Sequence, residues 1–286
     1  MVVLYRHYDR AALDSAYNNR AAVPSHPTTL ARWQARSAEV RSAPGATLDI
    51  TYGPTARQRL DLFRPADRAP QGGWPTVLFF HGGYWQSLHK DSFSFLAPPI
   101  TARGVALAVA TYDLCPDVTM TALADQARSA LAFLVGAARG LDLDPDRLVV
   151  AGHSAGGHLA ALLAGDDPAR RPKLAGALAL SGLFDLEPIR LSYLNDALRL
   201  GSDEARVLSP QHQVASGGPP LVLAMGAAEL PGFHDQQGDF DGALRAAGTP
   251  PRATIVTAGD DHFSVLDRLV DPAAPILPAL LALTRP

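Results

Sequence analysis

The sequence of 286 residues has little of several features that mark other classes of protein. A single cysteine, Cys115, excludes an internal disulfide, and the opening residues lack the basic, apolar and small-residue order of a secretory signal. Its apolar stretches fall short of the roughly 20 residues that a membrane-spanning helix needs. Lys and Arg are interspersed with acids rather than clustered as nucleic acid binding requires. We therefore expect a cytoplasmic protein that binds neither a membrane nor nucleic acid.

Metal-site spacings are missing as well. The histidines and acids do not fall into HxxxH or CxxC patterns, so nothing favours a zinc site. We expect neither a metal nor an organic cofactor. The content of 47% hydrophobic residues is that of a globular protein with a sizeable core.

Apolar runs alternate with helical patterns along most of the chain, which predicts a mostly parallel sheet of about eight strands in one α/β domain. The first two runs alternate in polarity and suit an antiparallel pair at a sheet edge. Residues 1–45 are predicted to be a helical leader and residues 46–286 the core. Helices are expected near 119–138, from Ala155, near 236–247 and at the end of the chain. The expected strands are TLDITYG, QRLDLFRP, TVLFF (76–80), GVALAVATY (104–112), RLVVAG (147–152), LAGALALSG (174–182), PPLVLAMG (219–226) and RATIVTAG (252–259).

The segment RLVVAGHSAGGHLAALLAG predicts a nucleophilic serine. Gly152, Ser154 and Gly156 match G-x-S-x-G between a β-branched strand and an Ala/Leu-rich helix, the context of a nucleophile elbow. Such a turn exposes the serine hydroxyl above the sheet, and the helix start favours a developing negative charge. The alternative is an ordinary Ser/Gly-rich turn between a strand and a helix.

A serine hydroxyl needs a base, and a histidine needs a carboxylate to orient it. His262 follows the last predicted strand and is expected to open the last helix, where the order serine, acid, histidine places the base. Glu229 is the nearest acid after the strand LVLAMG, and Asp235, further into the expected loop, is the second choice. His153, directly before Ser154, is expected to point away from the site.

The motifs HGGYW, GHSAGG and DHF, in this order, resemble the α/β-hydrolase superfamily, and within it the branch of kynurenine formamidase and the hormone-sensitive-lipase-like carboxylesterases. TYDLCP at 111–116 is similar to the strand-end motif of those esterases. The leader YDRAALDSAYNNRA resembles that of bacterial arylformamidase-like proteins, which implies that it folds over the active site as part of a cap.

The resemblance implies Ser154 as nucleophile, His262 as base and Glu229 as acid, with the backbone N–H groups of Gly82, Gly83 and Ala155 as the oxyanion hole. Two departures stand out. Tyr84 occupies the place of a third glycine in many esterases, which favours the formamidase-like branch. A glutamate stands where many relatives use aspartate, which leaves the acid open between Glu229 and Asp235.

The implied reaction is acyl transfer through an acyl-enzyme on a small amide or ester. Tyr84 and Trp85 are predicted to narrow the acyl side and stack on an aryl leaving group, unless Trp85 packs the loop onto the core. Further pocket candidates are Phe184, Tyr17, Asn18 and Arg20, the last as partner of a substrate carboxylate. Three functions remain open: an arylformamidase-type hydrolase, a short-chain carboxylesterase and a non-catalytic binding protein. Association of two chains through an edge strand or helix is a further expectation.

Overall fold

A single sheet of eight strands runs through the computed structural model, which describes residues 2–167, 172–214 and 216–285. The strands lie in the order β1-β2-β4-β3-β5-β6-β7-β8. The pairs β1–β2 and β2–β4 are antiparallel, and the other five pairs are parallel. The predicted mostly parallel sheet with an antiparallel edge is confirmed. The strands are β1 (Ala46–Thr51), β2 (Arg59–Phe63), β3 (Trp74–Phe80), β4 (Ala106–Ala110), β5 (Leu143–His153), β6 (Gly176–Leu180), β7 (Leu221–Gly226) and β8 (Ala253–Thr257).

Helices flank this sheet because its central strands are apolar on both faces. In β3 the side chains of Leu78 and Phe80 belong to one hydrophobic cluster, and those of Val77 and Phe79 belong to another. Such strands read as continuous apolar runs, which is how they stand in the sequence. The α-helices are α1 (Arg10–Ala16), α2 (Asn19–Ala22), α3 (His26–Ser42), α4 (Ala97–Thr101), α5 (Met120–Ala137), α6 (Ala155–Gly165), α7 (Glu187–Arg190), α8 (Asn195–Leu198), α9 (Ser202–Val207), α10 (Pro231–Ala246) and α11 (Ile276–Leu283); 3₁₀ turns span Lys90–Ser92, Ser94–Leu96, Ala138–Leu141, Pro210–His212 and Ser264–Leu269.

The three leader helices α1 to α3 dock on segments from the far end of the chain. Asp9 caps α1 by accepting a hydrogen bond from the N–H of Ala12 at 2.9 Å, a role for which aspartate is well suited. The ring of Tyr17 packs edge-on against Phe233 of α10, with 5.8 Å between centroids. In α3, the indole Nε1 of Trp33 donates to Asp267 at 3.1 Å. The leader is therefore held to the core by packing and by polar contacts.

A buried ionic cluster joins the end of α3 to the edge of the sheet. Lys90 is fully buried and its ammonium lies 2.6 Å from Asp49, 2.8 Å from Asp61 and 2.9 Å from Asp91. Arg41, from the last turn of α3, pairs with Asp61 and Asp91. Because a buried charge without partners is costly, this cluster fixes the C-terminal end of α3 on β2.

Two predicted element boundaries are wrong near the end of the chain. The helix expected from about 236 begins at Pro231, because proline is well suited to the first helical position. His262 lies in a loop before the 3₁₀ turn Ser264–Leu269 instead of opening the last helix. Among the described residues, no helix combines the length and the apolar character needed to span a membrane.

Candidate active site

Ser154 sits on a strained turn between β5 and α6. Its backbone has φ 59° and ψ −120°, a conformation that a residue with a side chain rarely adopts. The flanking glycines are required by close packing. A Cβ on Gly152 would lie 2.1 Å from the carbonyl oxygen of Gly156, and one on Gly156 would lie 1.9 Å from that of Phe80. The G-x-S-x-G pattern thus reflects a tight crossing of the turn over β3.

A hydrogen-bonded chain of three side chains starts at this serine. His262 Nε2 lies 2.9 Å from Ser154 Oγ, and His262 Nδ1 lies 2.7 Å from Glu229 Oε2. All three residues are buried. Because a carboxylate only accepts, Nδ1 carries the proton, and Nε2 is left as an acceptor for the serine hydroxyl. This is the tautomer that a general base requires.

The second carboxylate oxygen of Glu229 is held by two further donors. Ser181 Oγ donates to Oε1 at 2.5 Å, and the backbone N–H of Gly226 donates to the same oxygen at 2.9 Å. The sequence reasoning missed Ser181. Ser181 falls within the predicted strand LAGALALSG (174–182), so no local signal sets it apart from the other strand residues.

Asp235, the second choice for the acid, lies away from His262. It is on the second turn of α10, where its carboxylate accepts a hydrogen bond from the Tyr8 hydroxyl at 2.9 Å and pairs with Arg6 at 3.4 Å. The early start of α10 at Pro231 is the reason, because it turns Asp235 toward the leader.

The loop after β3 packs directly on Ser154. A Cβ on Gly82 would lie 3.1 Å from Ser154 Cβ, and Gly83 has φ 112°, with a Cβ there only 2.3 Å from the carbonyl oxygen of Ser87. Within the described part of the chain, no hydrogen bond is made by the backbone N–H of Gly82, Gly83 or Ala155. Both glycines border the same cavity as Ser154, and Ala155 begins α6. These N–H groups are thus free to meet an anion at the serine.

A small cavity of about 50 Å³ opens above Ser154. Both the leader and the core contribute to its wall, which explains the tight volume. The lining residues are Asn19, Arg20, Leu30, Trp33, Gly82, Gly83, Tyr84, Leu88, Phe93, His153, Ser154, His262 and Phe263. A space of this size holds an acyl group of a few atoms, so any larger leaving group must extend toward the opening.

Two of the predicted pocket residues lie on this cavity. The ring of Tyr84 lines it, and burial raises the pKa of Tyr84 well above its usual value. Arg20 also lines it and donates to Ser87 Oγ at 3.0 Å.

The other four predicted pocket residues point elsewhere. Trp85 is fully buried with its ring edge-on to His158 at 5.0 Å, because positive φ values at Tyr84 and Trp85 turn it into the core. Phe184 stacks on Phe240 at 4.3 Å. Tyr17 faces α10, and Asn18 caps α2 by accepting from the N–H of Ala21.

His153 lines the cavity, contrary to the expectation that it points away. Its Nε2 donates to the backbone carbonyl of His262 at 2.8 Å, and the two rings lie 4.8 Å apart. Burial, with the neighbouring His262 ring, lowers the pKa of His153 well below its usual value. A neutral His153 therefore supports the loop that carries His262. Across the described residues, no three histidine, cysteine or acidic side chains come together as metal ligands do.

The geometry of the site and the comparisons with known proteins together define the class of protein. The family model BD-FAE matches residues 60–174. The crystal structure of a candidate thioesterase from Silicibacter sp. TM1040 superposes with a TM-score of 0.82 at 30% identity, covering 94% of this chain and 98% of that one. The protein is an α/β-hydrolase.

Curated relatives identify the family within that class. Kynurenine formamidase of Danio rerio is 32% identical over 239 residues, which cover 81% of this chain and 79% of the relative. Kynurenine formamidase of Salmo salar is 29% identical over 257 residues, with 87% and 84% covered. The chain belongs to the kynurenine formamidase family and is a hydrolase of the arylformamidase or esterase type.

Proposed function

We propose that the protein is a serine hydrolase that removes a formyl or similarly small acyl group from an aryl amide. The observation that carries this proposal is the hydrogen-bonded chain from Glu229 through His262 to Ser154, which lies on a cavity of about 50 Å³. The cavity favours a small acyl group, and the kynurenine formamidase relatives favour an aryl formamide.

In the proposed acylation step, Ser154 Oγ forms a bond to the carbonyl carbon while its proton moves to His262 Nε2. Glu229 holds Nδ1–H and stabilises the resulting imidazolium. The N–H groups of Gly82, Gly83 and Ala155 receive the oxyanion. The C–N bond then breaks as His262 gives the proton to the leaving nitrogen, and water hydrolyses the acyl-enzyme by the same steps.

The test compares three variants on N-formyl-4-nitroaniline and 4-nitrophenyl formate. Ser154→Ala is expected to lower kcat by about 10⁴-fold or more. Glu229→Gln is expected to lower it on the order of 10⁴-fold, because the amide favours the wrong tautomer of His262. Asp235→Asn is the matched control and is expected to retain kcat. Retained turnover in Ser154→Ala would refute the serine mechanism, and a large loss in Asp235→Asn would reassign the acid.

The length of the acyl group provides the second test. Formyl, acetyl and butyryl esters of 4-nitrophenol are expected to show kcat/KM falling with length, because the cavity above Ser154 is only about 50 Å³. If the wild-type protein cleaves the esters but not the formamide, the short-chain carboxylesterase takes the place of the formamidase.

A reducing cytoplasmic location and a pairing of two chains stay predictions. The pairing can be tested by gel filtration with light scattering.

A further inference from the structure

Asn19 places a buried amide group on the wall of the active-site cavity. The residue begins α2 in the leader, is 2% exposed and lines the same cavity as Ser154 and His262. Its Oδ1 is buried and has no hydrogen-bond partner in the described part of the chain. Buried polar atoms in native proteins nearly always have a partner. An unpaired acceptor beside a substrate cavity points to a donor on the ligand.

The hydrogen bonds of Tyr84 fix which end of this amide is left free. The Tyr84 hydroxyl has one proton and lies 2.6 Å from the carbonyl oxygen of Tyr17, which only accepts. The hydroxyl therefore donates there and must accept from Asn19 Nδ2, which lies 3.2 Å away. In the opposite orientation of the amide, Asn19 Oδ1 and the carbonyl oxygen of Tyr17 would both need the single proton of the Tyr84 hydroxyl. Oδ1 is thus the atom without a partner.

We propose that Asn19 Oδ1 accepts a hydrogen bond from the N–H of the scissile amide and so favours amides over esters. This inference rests on the proposed function. Among the other leader side chains on the cavity, Arg20 and Trp33 only donate, and Leu30 is apolar. Asn19 is therefore the leader residue that offers a free amide acceptor.

The chemistry of amide cleavage explains why such an acceptor is useful. When Ser154 Oγ bonds to the carbonyl carbon, the nitrogen becomes tetrahedral and keeps its own hydrogen. Its lone pair must face His262 Nε2–H to receive the proton that came from Ser154, after which the C–N bond breaks and the amine leaves. An acceptor that holds the N–H keeps the lone pair turned toward His262. An ester oxygen carries no hydrogen and gains nothing from Asn19.

The experiment uses two substrates that differ only in the group next to the carbonyl, which is N–H in N-formyl-4-nitroaniline and an oxygen in 4-nitrophenyl formate. Asn19→Leu keeps a similar volume and removes the acceptor. The ratio of kcat/KM for the amide to that for the ester is expected to fall by about 10-fold, the effect of losing one hydrogen bond in a buried site. N-methyl-N-formyl-4-nitroaniline, which lacks the N–H, is expected to show the same change as the ester.

Asn18→Ala is the matched control, because it removes the neighbouring amide, which caps α2, and leaves the Asn19 side chain itself unaltered. It is expected to leave the amide-to-ester ratio unchanged, and thermal unfolding followed by circular dichroism verifies that each variant folds. If Asn19→Leu lowers kcat/KM by the same factor for the amide and the ester, the inference is overturned and Asn19 is a structural contact of the leader. A wild-type protein that cleaves the ester alone would also overturn it, while the serine mechanism would stand. Retained activity in Ser154→Ala would instead refute the proposed function itself.

Discussion

Replacing Ser181 by glycine removes the hydroxyl that supports Glu229 without adding backbone strain. Ser181 has φ 50°, a conformation that costs a residue with a side chain about 1–2 kcal/mol and costs glycine nothing. Because glycine also loses more chain entropy on folding, by about 0.5–1 kcal/mol, the two effects nearly cancel. We expect Ser181→Gly to fold, and its free energy of unfolding to fall by about 1.5–3 kcal/mol, the contribution of the lost hydrogen bond to the Glu229 carboxylate.

The activity of Ser181→Gly is expected to fall although the fold stays intact. The variant lacks the hydroxyl that donates to Glu229 Oε1 at 2.5 Å, while the N–H of Gly226 still donates to that oxygen at 2.9 Å. A hydrogen bond to a charged group contributes about 1.5–3 kcal/mol. Since 1.36 kcal/mol corresponds to a factor of ten in rate, kcat is expected to fall about 10- to 100-fold. KM is expected to change little, because Ser181 does not line the cavity.

The assay measures kcat and KM on 4-nitrophenyl formate together with urea unfolding. Ser209→Ala is the matched control. Its hydroxyl is equally buried, donates to the carbonyl of Ala205 at 2.7 Å and accepts from the N–H of Leu186 at 2.8 Å. It is expected to lower the free energy of unfolding and to leave kcat unchanged. If Ser181→Gly retains the wild-type kcat, the reasoning that its hydroxyl positions Glu229 is refuted.

Two further predictions concern the fold around the site. Burial lowers the pKa of His158 to about 4, so it stays neutral at pH 5 while an unfolded histidine takes up a proton below about 6.5. The free energy of unfolding therefore falls as the pH drops from about 6.5 to 4. Urea unfolding at pH 7 and at pH 5 measures this fall, and we expect it to be about 2 kcal/mol smaller in His158→Gln than in the wild type. An equal fall in the two proteins would contradict the prediction. Gly156→Ala is expected to lose about 3 kcal/mol of stability in the same assay, because its Cβ would meet the Phe80 carbonyl. Gly136→Ala on α5 is the control, because an added Cβ there meets nothing within 4 Å, and its free energy of unfolding is expected to rise by about 0.5–1 kcal/mol. If the two variants change the free energy of unfolding by a similar amount, the argument from close packing at Gly156 is refuted.

The sequence was most informative where structure is local. The turn at Ser154 is readable because Gly152 and Gly156 stand at a fixed spacing between a strand and a helix. The strands β3 to β8 are readable because each is an apolar run bounded by turn residues. Their alternation with helices was enough to predict the mostly parallel sheet.

Contacts between distant segments could not be predicted from local sequence in the same way. Ser181 reaches Glu229 because β6 and β7 are neighbours with Leu180 opposite Ala224, a register that no local pattern encodes. Asn19 rather than Asn18 reaches the cavity because α1 ends at Ala16 and α2 begins at Asn19, a break that the prediction of a helical leader did not include. Trp85 is buried because the loop adopts positive φ at two residues that do not favour it.

The docking of the leader also determines when the cavity is completed during synthesis. Asn19, Arg20 and Trp33 are translated before the strands of the core, yet Trp33 is anchored by Asp267, and His26 stacks on Phe263. More than 230 residues separate these partners. Contacts of such high sequence separation form late in folding, because a long loop must close before they stabilise anything. The nascent chain therefore completes the elbow of Ser154 well before it can complete the cavity wall.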